Sequence, residues 1–200
     1  MTHQTLLARL AVVLGVVGFW VFAGIGASRE PGYDPTHDYL SALAATGAAE
    51  PLWGLLMFAS ATLAVLAAAW HVRSVLLLAA TVALAAGAVI RVDCPTGAAG
   101  CNAGPLVVEP SVAGQLHAAA VVGYQLLLSA ALLALAVVDH RAGRRGWAAA
   151  ALAGALLPLL LALDPLPLEP GLSQRLWVVC GQVVLLMLAL RPTGRATVAA

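Results

Sequence analysis

Apolar residues fall into six long blocks, roughly 8–27, 51–70, 73–91, 114–138, 147–163 and 172–190. Short stretches rich in proline, glycine and charge separate them. About 20 consecutive apolar residues are enough for one helical crossing of a bilayer. The pattern therefore predicts an all-α fold, a single domain built as a six-transmembrane-helix bundle. The fifth block is short and carries Pro158, which predicts a kink or tilt. Small residues at 24–28 offer a possible signal-peptide cleavage site, but the first block outruns the apolar core of about 7–15 residues expected of a signal peptide. It is read as a helix.

The most polar long interruption is "YDPTHDYLSALAATGA", residues 33–48. Asp34 before Pro35 has the chemistry of a helix start, and Gly47 that of a helix end. At 100° per residue, Asp34, His37, Asp38 and Ser41 share a sector of about 100°, with Leu40 and Leu43 toward the other side. The expectation is a short amphipathic helix in the first extracytoplasmic loop. Its polar stripe faces either water or protein.

Composition agrees with the pattern. The chain is 62% hydrophobic and 10% charged, against about 45–50% and 25% in soluble domains. All ten cations besides histidine are arginine, and the net charge of +1 with no basic stripe gives no sign of a nucleic-acid partner, so none is expected. The alanine, leucine, valine and glycine bias fits a GC-rich bacterial genome. Arg9, Arg73, Arg141, Arg144, Arg145, Arg191 and Arg195 fall at one set of helix ends, and only Arg29, Arg91 and Arg175 at the other. Eight of the nine acids, all but Asp139, lie with the second set. The positive-inside rule then places both termini in the cytoplasm of a multi-pass protein of the bacterial plasma membrane. Cys94 and Cys101 would lie outside, where a disulfide is the expected state.

Polar groups recur at the extracytoplasmic ends of different helices: Arg91 and Asp93, Gln115 and His117, Asp164, and Gln174 and Arg175. With the first loop they form a candidate ring. Each has a plainer role available. Arg91 and Arg175 suit snorkelling, Ser173 suits a helix cap, and Asp164-Pro165 suits a turn. His117 is different, because one turn inside a span an unpaired imidazole is costly. Asp38 or Asp93 is the expected partner. Tyr124, two turns deeper, shares its face. Gln125 and Gln182, at mid-span, are expected to bond each other and join the fourth and sixth helices.

These motifs, taken in order as "YDPTHDYLSALAATGA", "GQLHAAA" and "GLSQRLW", resemble the bacterial and archaeal membrane family of domain of unknown function 998. The likeness covers nearly the whole chain. Ala44-Ala45 departs from a Gly-Ala usual there. The resemblance implies a six-helix bundle, makes Asp38, Ser41, Asp93, His117 and Arg175 family-type positions, and leaves the reaction open.

Two classes of function follow. The first is an enzyme of hydrolase type acting on a lipid or other amphiphile. Asp38, Ser41, Asp93, His117 and Arg175 would be its catalytic set, and Asp34, His37, Arg91, Gln115, Tyr124 and Gln174 would bind substrate. No cofactor is expected. A divalent metal finds little support, because His37 and His117 are the only outer histidines and no span holds a His-x-x-x-His pair. The second is a non-catalytic lipid-binding, sensor or structural protein whose ring fixes helix packing, with membrane lipids or a membrane protein as partners. Gly15, Gly18, Gly87, Gly123 and Gly154 would then let helices approach closely. A small transporter is a third and weaker reading. An open cavity with His117 on its wall would favour an enzyme, and a closed, fully paired network the structural role.

Overall fold

The computed structural model describes residues 3–92, 111–162 and 168–191. Asp93, the Cys94–Cys101 pair and Asp164 lie outside the described residues. Among the described residues six α-helices follow one another: α1 (His3–Arg29), α2 (Pro51–Val72), α3 (Val75–Val89), α4 (Val112–Arg141), α5 (Arg145–Ala162) and α6 (Pro170–Leu190). Each coincides with one apolar block. α1, α2, α4 and α6 are long and apolar enough to cross a membrane, while α3 and α5 are apolar but shorter. Large apolar side chains such as Leu14, Val82, Val122 and Leu157 stand exposed around the bundle. Water would not tolerate so continuous a belt, and lipid requires it. The architecture is that of a multi-pass helical membrane protein.

The ends of the helices follow local rules. Pro51 and Pro170 open α2 and α6 at positions where no amide bond is lost. Ser74 and Ser111 cap α3 and α4, accepting from the amides of Leu77 and Gly114. Between α2 and α3 the chain reverses through Arg73 in the left-handed region, at φ 55°. Packing proceeds around a ring, α1 on α2, α2 on α3, and so on to α6, which closes on α1 and α2. Small residues set the tightest seams. A Cβ at Gly15 would stand 2.6 Å from the Ser60 carbonyl oxygen, and one at Gly154 would run into Val184. Gly18 is almost as close to Ser60, Gly87 makes ordinary contact, and Gly123 faces open space.

The segment before α2 departs from expectation. An α-helix does not run from Pro35. A single turn at Asp34–Asp38 leads into a 3-10 helix, Leu40–Ala44. Leu40, Ala42, Leu43, Ala44 and Ala45 are all buried. With apolar residues covered on every side, this segment is a plug in the bundle rather than a float on its surface. Gly54 permits the plug, because a Cβ there would sit 2.5 Å from the backbone of Leu43 and Ala44.

The opposite end of the bundle closes on charge. Asp139, 1% exposed, accepts from Arg191 Nε at 3.0 Å and Nη2 at 2.8 Å, and from Arg144 Nε at 2.7 Å. His71 Nε2 reaches the Arg191 carbonyl at 3.2 Å. One buried carboxylate thus ties α4, the α4–α5 turn and the end of α6.

A candidate amphiphile cavity

At the end of the bundle that carries residues 30–50, the polar groups split into a clamp and a cavity. The clamp begins with the turn at Asp34. Its carboxylate accepts from the Thr36 amide at 2.8 Å and hydroxyl at 2.7 Å, and His37 Nδ1 stands 3.0 Å away. Those bonds, the Thr36 hydroxyl first, hold the Asp34 carboxyl at about 2. His37 Nε2 also lies 3.4 Å from Glu169 at the foot of α6. Asp38 is buried, and its Oδ2 accepts the Asp34 amide at 2.7 Å.

Arg175 fastens this turn to α6. Its Nη1 donates to the carbonyls of Asp38 at 2.9 Å and Gly171 at 2.8 Å, and its Nη2 donates to the Tyr33 hydroxyl. Burial pushes the Tyr33 phenol above its ordinary range, with Arg175 pulling it back, so it stays a neutral hydroxyl. The Leu172 amide bonds the Thr36 carbonyl, and Gln174 Oε1 accepts the Leu40 amide at 2.6 Å. The seam depends on Gly171, where a Cβ would lie 2.6 Å from the Asp38 carbonyl oxygen. Arg91 works similarly from the end of α3. It donates through Nε to the Ala44 carbonyl at 2.9 Å and through Nη2 to that of Ala45, meeting carbonyls at the end of the 3-10 helix. Both guanidiniums are engaged by the plug.

His117 is 6% exposed on α4. Its Nδ1 lies 2.8 Å from the carbonyls of both Gly87 and Ile90. Two acceptors require Nδ1 to carry a proton, so the imidazole caps the end of α3, and in the neutral ring Nε2 is then the acceptor. Phe58 meets the ring edge-on at 5.9 Å. Among the described residues no carboxylate bonds His117. The partner expected from sequence was Asp38 or Asp93. Asp38 is committed to its own turn, and the helix end supplies acceptors that composition does not reveal.

Beneath the plug lies a cavity of about 380 Å³, in the size range of ligand sites. Tyr39, Leu40, Ser41, His117, Ser173 and Gln174 surround its upper part, and Trp177 lies next along α6. It runs down α6 from Pro170 to Leu185, about 22 Å at 1.5 Å per residue. Most of the wall is apolar, with Phe19, Met57, Val65, Leu84 and Leu126 contributing. Tyr124, Gln125 and Gln182 supply polar atoms at mid-depth. The two glutamines do not bond each other. Gln182 accepts from the Trp20 indole on α1, while Gln125 donates to Ser129, which donates to the Ala155 carbonyl on α5. Each joins its helix to a different neighbour, leaving space between α4 and α6.

The residues nominated from sequence therefore separate. Ser41, His117, Tyr124 and Gln174 line the cavity. Asp34, His37, Asp38, Arg91 and Arg175 build the clamp above it. Gln115 is exposed and off the wall, and Asp93 lies outside the described residues. Among the described residues no group of three histidine, cysteine, aspartate or glutamate side chains is placed to hold a metal ion. Sequence reasoning missed Trp177 and Tyr39. Trp177 was within reach, since Gln174, Trp177, Val178, Gly181, Gln182 and Leu185 follow helical spacing along one wall.

A family described as "Protein of unknown function (DUF998)" matches residues 13–191. No curated protein matches the chain, and no solved structure does.

Proposed function

This chain belongs to the DUF998 family, and from that premise we propose that it is a membrane protein that takes an amphiphilic, lipid-like molecule into the cavity beneath the plug. The polar group sits near Ser41, His117 and Gln174, and the hydrocarbon runs along α6 toward Leu185. In this reading α3 and α5 complete six crossings, and the end with residues 30–50 faces away from the cytoplasm, as the arginine distribution requires. One observation carries the proposal. A space of about 380 Å³ is apolar along most of its wall yet polar around its upper part, which is the shape of an amphiphile in negative.

A closed structural network would have filled this volume with side chains. The clamp supports binding in another way, by holding the roof in place chiefly through Arg91 and Arg175, which lie off the cavity wall. Filling the space is the test. Ala61 lines it from α2, and Ala61→Phe should weaken binding of a fluorescent polyene-chain lipid at least tenfold while helix content stays unchanged. Equal binding by both proteins contradicts the reading.

A hydrolytic role has one specific observation in its favour: Ser41 and His117 share the cavity, and the fixed imidazole proton leaves Nε2 as a possible general base. Asp38 and Arg175 are tied to backbone partners and take no part in that version. Incubation with mixed membrane lipids would then give cleavage products from the native protein and none from Ser41→Ala.

A further inference from the structure

We infer that the molecule held in the cavity is an electrically neutral lipid carrying a free hydroxyl group, a long-chain alcohol or acylglycerol rather than a phospholipid or fatty acid. The inference rests on the cavity being a binding site, and it names the class of ligand.

The first ground is charge. No aspartate, glutamate, lysine or arginine lines the cavity among the described residues. The nearest arginines stay off its wall, Arg91 holding the Ala44 and Ala45 carbonyls, and Arg175 those of Asp38 and Gly171 and the Tyr33 hydroxyl. A phosphate or carboxylate drawn inside would lose its hydration with no cation to replace it.

The second ground is hydrogen bonding. His117 lines the cavity with Nδ1 committed as a donor, and Nε2 has no partner among the described residues. That nitrogen asks for a donor. Trp177 lines the same cavity with its ring, but its indole Nε1–H is buried away from the open space and makes no demand on a ligand there. A ketone, ester or quinone carbonyl can only accept, and leaves the imidazole lone pair unmet. A hydroxyl can donate to it. The unmatched imidazole nitrogen on the wall therefore selects the hydroxylated lipid, through the cost of leaving a polar atom unsatisfied.

Native mass spectrometry of the protein in phosphatidylcholine nanodiscs tests this, since sugar detergents are themselves neutral hydroxylated amphiphiles. Three probes share one oleoyl chain type: monooleoylglycerol, methyl oleate and dioleoyl phosphatidate. The expected order is monooleoylglycerol, then methyl oleate about tenfold weaker, with phosphatidate not retained. His117→Asn keeps a donor toward the α3 carbonyls while removing the Nε2 acceptor, and should bring monooleoylglycerol down toward methyl oleate. Equal retention of all three, or a preference for phosphatidate, overturns the neutral-hydroxyl assignment and leaves the binding cavity standing. Failure to retain any probe, with Ala61→Phe indistinguishable from native, overturns both.

Discussion

The two ends of the bundle solve the same problem in opposite ways. At one end Asp139 lies between Arg144 and Arg191, and a water-sized void adjoins it. At the other, Arg91 and Arg175 spend their donors chiefly on backbone carbonyls, and a cavity of about 380 Å³ opens below. Charge paired with buried charge draws helix ends together and closes the space. Charge paired with backbone fixes the path of a loop, and a loop held from above can roof a space without filling it. The first arrangement is a seal, the second a lid frame.

The sharpest way to break the contrast is to remove the seal. Asp139→Ala leaves two arginines facing each other in a buried site and should cost about 3–5 kcal/mol, seen as a large drop in thermal unfolding temperature. Lipid binding at the far end should persist below the new midpoint. A smaller effect is expected from Gly171→Ala, which drives a methyl group into the Asp38 carbonyl. Overpacking of this kind costs about 1–3 kcal/mol, and here it should lift the 34–40 turn, speeding amide exchange at Leu40 and releasing bound lipid. Arg175→Lys keeps the charge but loses the fork, for about 1 kcal/mol and a milder version of the same exchange change.

The smallest effect concerns pH. The Asp34 carboxyl is held at about 2, below its ordinary 3.8. A lowered value means its bonds stabilise the folded turn fully above about pH 4 and are lost as pH falls toward 2. Amide exchange at Thr36 should therefore show no added dependence on Asp34 between pH 5 and 8, beyond intrinsic exchange, and lose protection only in strong acid. Asp34→Asn should abolish that acid step.

Much of this was legible in the chain. The six apolar blocks mark six helices to within a few residues, because hydrocarbon demands unbroken backbone pairing and leaves few alternatives. The nearness of Asp38 to Arg175 could be anticipated from their shared depth. Three features could not. Residues 34–47 fit the spacing of an amphipathic α-helix, yet burial of Leu40, Leu43 and Ala45 together favours a tighter plug. His117 finds its partners in the unpaired carbonyls of α3, which no side-chain inventory records. Asp139 reads as a lone acid in a basic context, and its pairing with Arg191, 52 residues away, exists only through the fold.

The central claim is that an amphiphile occupies the cavity. Gentle extraction followed by native mass spectrometry, on the native protein and Ala61→Phe side by side, tests it most directly. The account predicts one bound lipid of defined mass on the native protein and none on the variant. The same set of loosely held lipids on both would contradict it.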